Sequence, residues 1–133
     1  MSQENVEIVR RMFAAFNRGD VETVVAAFAE DCELHEPHEM PDTPAEGFRG
    51  HHGIREWMAN LRETGGVQFE PTSLTSQGDV VFSEWTGRGL GQASGAPISW
   101  TTFATVHLRD GRIVRLEAFL DRDEALEAAG PLD

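Results

Sequence analysis

Apolar residues recur at helical spacing in the first part of the chain. From Glu4 to Arg18 they return every three or four positions, which predicts a helix with one buried face. Gly19 suits the end of that helix, and Asp20 can cap a second helix whose apolar residues again form one stripe. We therefore expect the two helices to pack as a hairpin.

The pattern changes to alternation from Asp31 to Pro37, which predicts a short strand. Cys32 and Leu34 share one face of this strand, and Glu36 falls on the same apolar face. The next segment, Pro37 to Gly50, is rich in proline and glycine and has no periodicity. It is expected to be a long loop of the kind that often acts as a lid.

The second half of the chain is predicted to be mostly strand. A third helix is expected from His51 to Glu63, and a last one from Arg122 to Ala129. An Asp-Gly pair at residues 110–111 is typical of a hairpin turn, so consecutive antiparallel strands are expected. The four predicted strands are Val67–Thr75, Asp79–Leu90, Pro97–Arg109 and Arg112–Leu120.

Alternation also predicts which strand faces point to the core. On the last strand the apolar face consists of Val114, Leu116, Ala118 and Leu120. On the strand before it the inner set is expected to be Ile98, Trp100, Thr102, Ala104, Val106 and Leu108. On the strand from Asp79 to Leu90 we expect the inner set to be Val80, Phe82, Glu84, Thr86 and Arg88, with Trp85 outside.

These faces predict a mostly apolar cavity with polar groups at one end, the usual form of a small-molecule site, and the expected partner is a small apolar or polycyclic ligand. Glu36 would be partly desolvated there, which raises the pKa of a carboxyl group and suits it to proton transfer near neutral pH. The predicted ligand-binding residues are Met12, Phe16, Leu34, His38, Trp57, Met58, Phe82, Thr86, Trp100, Thr102, Leu116 and Ala118.

Composition narrows the possible partners. A chain of 133 residues suits one domain, and its formal net charge of −12 repels phosphate backbones and anionic lipids. The single cysteine, Cys32, can form no disulfide within the chain, and the N-terminus lacks a signal-peptide core or an apolar span. We expect a cytoplasmic protein that binds neither nucleic acid nor membranes.

Several histidines and acids near the loop raise the question of a metal site. On a strand, however, positions 35 and 38 point to opposite faces, and the adjacent His51 and His52 diverge on a helix. No spacing matches a standard zinc pattern, so we predict neither a metal nor another cofactor.

Four short motifs in the chain are similar to motifs of a known protein family. They are Arg18-Gly19-Asp20, Phe28-Ala29-Glu30-Asp31, the segment from Gly50 to Ile54, and Asp110-Gly111-Arg112-Ile113. With the order of the predicted elements, they resemble the SnoaL-like branch of the nuclear transport factor 2-like superfamily, which includes polyketide cyclases and ketosteroid isomerases. The resemblance implies one SnoaL-like domain over residues 1–133 with a cone-shaped α+β barrel fold. In that fold a curved, mostly antiparallel sheet wraps around three N-terminal helices, and a short C-terminal helix follows.

The resemblance also concerns the site. Relatives of the ketosteroid isomerase type carry an Asp general base before a proline at the end of the first strand, where this chain has Glu36-Pro37. Their oxyanion-hole Tyr and acid correspond to Met12 and Ala104, and this chain has no tyrosine. Because such donors commonly supply the largest catalytic contribution, a close ketosteroid isomerase is not expected.

Two functions remain open. The first is an isomerase, cyclase or lyase that abstracts a proton from a small apolar carbonyl compound, with Glu36 as base and Arg88 or Thr86 orienting or polarising the substrate. Glu84 is a further candidate catalytic residue. The second is a non-catalytic ligand-binding or dimerisation module, in which Glu36 caps a loop or pairs with Arg88.

A homodimer is expected as well. Relatives of this fold usually dimerise through the outer face of the sheet. Trp85, Phe103 and Phe119 are predicted on outer faces, where an uncovered apolar patch would be a liability for a monomer.

Overall fold

The first two helices form the expected hairpin. The structure, a computed structural model, describes residues 2–40, 44–63, 66–91 and 94–130. Helix α1 (Ser2–Arg18) ends at Gly19, whose φ of 74° favours glycine. Helix α2 (Val21–Ala26) follows, and the Asp20 side chain caps it by accepting a hydrogen bond from the Thr23 backbone N–H at 3.2 Å.

In the part of the chain that the structure describes, six strands form one curved sheet that is open at both edges. They are β1 (Phe28–His35), β2 (Phe48–Arg49), β3 (Gln68–Gln77), β4 (Val80–Leu90), β5 (Pro97–Arg109) and β6 (Arg112–Phe119). Their spatial order is β2-β1-β6-β5-β4-β3. The strands β3 to β6 pair antiparallel in succession as predicted, whereas β1 lies parallel to β6 and β2 pairs with β1. The α+β fold with a mostly antiparallel sheet is confirmed.

The core lies between the inner face of this sheet and the helices α1, α2 and α3 (Gly50–Glu63). Helix α4 (Arg122–Ala129) instead covers part of the outer face. There the fully buried Thr105 hydroxyl donates a hydrogen bond to the Ala125 carbonyl oxygen at 2.7 Å. Among the described helices, none has the length and apolar character needed to cross a membrane.

The predicted inner face of β4 is wrong. Trp85 lies opposite Thr102 and Ser83 lies opposite Ala104, in the set of side chains that faces the core. Alternation could not choose between the faces because β4 begins with apolar residues on both of them, so the pairing with β5 decides the orientation. The residues that lie outside are Val80, Phe82, Glu84, Thr86 and Arg88.

Smaller differences occur on β5 and β6. Ile98 is 49% exposed, because this end of the β4–β5 hairpin projects beyond the core. Ile113, predicted on the mixed face, is fully buried, because a register shift between His107 and Leu108 brings it opposite Leu108. From Thr102 to Leu108, the predicted inner positions of β5 are buried as expected.

Candidate functional site

A small, mostly apolar pocket lies between the inner face of the sheet and helices α1 and α3. Its volume is about 80 Å³, and its walls come from β1, β3, β4, β5 and β6, from the two helices and from the loop that follows β1. Two larger depressions, of about 430 and 610 Å³, are more open to solvent and have more polar walls. Because a binding site must remove much of its ligand from water, we take the pocket that is less open to solvent and more apolar as the site.

Glu36 is the charged residue among the described walls of this pocket. Cys32 and Leu34 on β1 face the core with 1% exposure each, so Glu36 is the next position on that face. Burial raises the pKa of its carboxyl group, and within the described residues this carboxyl has no hydrogen-bond or ion-pair partner. A desolvated carboxylate without a partner is a stronger base than an ordinary glutamate.

The loop after β1 borders the pocket, as expected for a lid. Pro37 and Met40 contribute to the walls. Residues 41–43 of the predicted loop lie outside the described residues. The loop closes against the sheet through β2, which the sequence did not predict.

Aromatic rings make up much of the remaining wall. The Phe13 ring lies 4.1 Å from the Trp85 ring, between centroids, and 5.6 Å from the Phe69 ring. The Trp100 ring lies directly over Gly87, where an added Cβ would come within 2.5 Å of the ring. Glycine on β4 therefore allows Trp100 to lie flat along the pocket.

Trp85 adds a polar group that the sequence reasoning missed. Its side chain is 1% exposed, and its indole Nε1–H has no hydrogen-bond partner in the described parts of the chain. Its inner cross-strand neighbour Thr102 uses its own hydroxyl to donate to the Phe119 carbonyl oxygen at 3.3 Å. The register between β4 and β5 is the signal that places Trp85 inside, and the residue pattern of β4 alone does not contain it.

The structure brings part of the predicted site together. The predicted residues that line the pocket are Leu34, Glu36, Trp57, Trp100, Thr102, Leu116 and Ala118. Phe82, Glu84, Thr86 and Arg88 lie on the outer face, away from this pocket. Arg88 forms an ion pair there with Glu70 at 2.8 Å, so the alternative in which Glu36 pairs with Arg88 is wrong.

Four further predicted residues lie outside the pocket walls. Met12 is buried in the core, and Phe16 and Met58 border one of the open depressions. His38 is exposed, and its Nε2 lies 3.2 Å from Glu124 of α4 and 3.4 Å from Glu39. These three side chains could offer three metal ligands, but all of them lie on the surface and outside the pocket.

Comparisons with known proteins agree with this architecture. Residues 9–116 match the SnoaL-like domain family. The chain belongs to the SnoaL-like family. The predicted resemblance is thereby confirmed, and membership supports a small-molecule-binding protein with a nuclear transport factor 2-like fold.

Solved structures similar to this SnoaL-like chain extend over nearly its full length. TerC, co-crystallised with polyporic acid, is 25% identical with a TM-score of 0.78, covering 96% of this chain and 99% of that one. An NTF2-like protein of unknown function from Burkholderia pseudomallei is 22% identical with a TM-score of 0.79, covering 98% and 100%. A putative polyketide cyclase from Xanthomonas campestris is 22% identical with a TM-score of 0.77, covering 97% and 98%. A search of curated proteins finds no match.

Proposed function

We propose that this SnoaL-like protein abstracts a proton from a small, largely apolar carbonyl compound, with Glu36 as the general base. The observation that carries the proposal is the Glu36 carboxyl, which has no partner among the described residues, on the wall of a largely apolar pocket and with its pKa raised by burial. Ordinary glutamate is too weak a base for most carbon acids. Desolvation raises the pKa of the carboxyl group and so reduces the difference between its pKa and that of the carbon acid.

The proton transfer itself takes place between this residue and a ligand held beside it. The carboxylate takes a proton from a carbon next to the carbonyl group, and the electron pair of the broken C–H bond moves toward the carbonyl oxygen. Return of the proton to another carbon gives isomerisation. Attack of the carbanion on a second carbonyl gives cyclisation, and loss of a leaving group gives a lyase reaction.

The size of the pocket limits the first ligands to test. An engineered apolar cavity of about 150 Å³ in another protein binds benzene, so a cavity near 80 Å³ accepts a small ring only if its walls adjust. Met40 on the loop and the half-buried Trp100 are the wall residues best placed to move. Cyclohexanone is therefore a suitable minimal probe.

The test compares Glu36→Gln with Glu84→Gln. Both variants make the same chemical change at half-buried positions, but Glu84 lies on the outer face of the sheet. Transfer of deuterium from D₂O to the carbons beside the carbonyl of cyclohexanone is followed by mass spectrometry. We expect the protein-dependent exchange rate to fall by about 100-fold or more in Glu36→Gln, the usual loss when a general base is removed. Equal rates in a folded Glu36→Gln variant and in the wild type would contradict the proposal.

A non-catalytic binding module is the second candidate. It is favoured by Ala104 on the pocket wall and Met12 in the core, because neither side chain offers the O–H donor of the ketosteroid isomerase type. In that case a bound compound is recovered unchanged after incubation, and Glu36→Gln alters only its affinity.

We also propose that the protein forms a homodimer through the outer face of the sheet. Trp85 is not part of this face, contrary to expectation. Phe82 and Phe103 stack there with ring centroids 6.2 Å apart, and Phe119 lies opposite Phe103. Helix α4 already covers part of this surface, so the interface would use what remains. A monomeric mass in sedimentation at micromolar concentration would count against the dimer.

A further inference from the structure

We propose that the indole N–H of Trp85 is the hydrogen-bond donor that holds the carbonyl oxygen of the ligand in the pocket. The inference rests on the proposed function in taking this pocket as the ligand site. It adds a positioning residue and a requirement on the ligand, which must present an acceptor oxygen to the β4 wall.

The first observation is an unsatisfied polar group. Trp85 is 1% exposed, and among the described residues its Nε1–H meets no acceptor. Most buried side-chain polar atoms in proteins have a hydrogen-bond partner, because a buried donor without one keeps the full penalty of losing water. Trp85 belongs to the pocket wall, and its Nε1 atom is closed off from water in the structure. When the walls adjust to admit a ligand, an acceptor oxygen on that ligand can therefore supply the hydrogen bond that the described residues do not.

The surroundings of Trp85 explain why the described residues supply no acceptor. The ring packs against Phe13, with centroids 4.1 Å apart, and Phe69 and Trp100 belong to the same pocket wall. On the neighbouring strand the Thr102 hydroxyl is directed to the Phe119 carbonyl oxygen. A water molecule could satisfy the indole only if it found two to four polar partners, which these mostly apolar walls do not favour.

The position of Trp85 relative to Glu36 gives the donor a chemical role. Glu36 follows β1 and Trp85 lies on β4, with β6 and β5 between them in the curved sheet. Three strand spacings of about 4.8 Å place β1 and β4 roughly 14 Å apart across the sheet, and both residues contribute to the wall of the pocket between them. A small ketone between them directs its oxygen to β4 and an adjacent C–H group to β1.

Glu36 and Trp85 have complementary roles in the proposed proton transfer. Glu36 accepts the proton as the C–H bond breaks, and the electron pair moves onto the carbonyl oxygen. The Trp85 N–H donates to that oxygen while its negative charge increases, as donors in an oxyanion hole do. Trp85 itself neither gains nor loses a proton.

The test compares two ligands of one shape, cyclohexanone and methylenecyclohexane, which differ in the acceptor oxygen. In ¹⁵N-labelled wild-type protein, we expect cyclohexanone to shift the proton resonance of the Trp85 indole N–H downfield. Methylenecyclohexane should not cause this downfield shift. The resonance is assigned by triple-resonance spectra and by its absence in Trp85→Phe. This measurement on the wild type does not depend on whether the variant folds.

The affinities of the two ligands give the second readout. Trp85→Phe keeps an aromatic ring and removes the N–H, so we expect the preference for the ketone to fall by about 3- to 10-fold, the usual net value of one hydrogen bond. Thr101→Val, a change on the exposed outer face of β5, should retain the preference. An unchanged preference in Trp85→Phe, or an indole resonance that cyclohexanone at 100 mM leaves in place, overturns the proposal. Deuterium exchange decides the role of Glu36 separately, because a passive binding protein would still show the Trp85 shift.

Discussion

Glu36 should make the fold less stable as the pH rises. Burial raises the pKa of this carboxyl group above its ordinary value of 4.5, whereas the unfolded chain releases the same proton near that value. Between the two pKa values the native state holds more protons than the unfolded state, so the free energy of unfolding decreases with increasing pH. Glu36→Gln removes this dependence. We therefore expect the variant to be more stable than the wild type at pH 7 and to lose most of this advantage at pH 4.

Urea unfolding of both proteins at the two pH values measures this difference. Glu84→Gln serves as the control for the loss of one negative charge outside the pocket. A stability difference between Glu36→Gln and the wild type that is the same at pH 4 and pH 7 would show that the Glu36 carboxyl is not desolvated.

Gly87 should be intolerant of even one added methyl group. In Gly87→Ala the new Cβ would lie 2.5 Å from the Trp100 ring, so the ring must leave its place on the pocket wall. We expect a loss of about 1 to 3 kcal/mol in the free energy of unfolding, typical of overpacking, together with weaker cyclohexanone binding. In the control, Gly89→Ala, the new Cβ would meet Val67 at 3.6 Å and Trp100 at 3.9 Å, which are ordinary contacts.

Chemical denaturation and near-ultraviolet circular dichroism follow both glycine variants. Similar losses in the two would mean that glycine content on β4, rather than the position of Trp100, determines the effect.

At the scale of the elements, a buried hydrogen bond attaches helix α4 to the sheet. The Thr105 hydroxyl donates to the Ala125 carbonyl oxygen at 2.7 Å. Thr105→Val keeps the shape of the side chain but leaves this contact without a donor, so we expect a loss of about 1 to 2 kcal/mol. Thr101→Val is the matched control, because Thr101 lies on the same face of β5 but is exposed. Its effect should stay within about 0.5 kcal/mol in the same denaturation experiment.

The elements also show what the sequence could predict. The bounds of β5 and α4 match the predictions, because strong alternation and helical caps are local signals. Glu36 was placed correctly for the same reason, since it continues the face of Cys32 and Leu34. Local patterns suffice where one face of an element is clearly apolar.

The remaining features depend on contacts between distant segments. On β4 both faces begin with apolar residues, so its orientation, and with it the place of Trp85, is set by the register with β5. The parallel pairing of β1 with β6 and the short strand β2 also depend on segments that are far apart in the sequence. No periodicity within one segment contains this information.

For the whole molecule, the parallel pair has a consequence for folding. β1 lies near the start of the chain, and its neighbour β6 is the last strand, with Leu34 beside Leu116. Contacts over such long separations slow folding, because the loop between the partners must close before they form. While the chain is being synthesised, β1 has no neighbour on that side until β6 has left the ribosome.

Cys32 on β1 can report this delay. In the complete fold its thiol is 1% exposed and its pKa is raised by burial, so it should react slowly with alkylating reagents. We expect ribosome-bound chains in which only residues up to Gly111 have emerged to be alkylated rapidly, and chains released after β6 to be protected. Equal protection of the shorter chains would show that β1 is covered by the first helices alone. A protein that completes its sheet with a late strand therefore leaves one edge of an apolar strand unpaired for most of its synthesis, and unpaired strand edges are prone to aggregation.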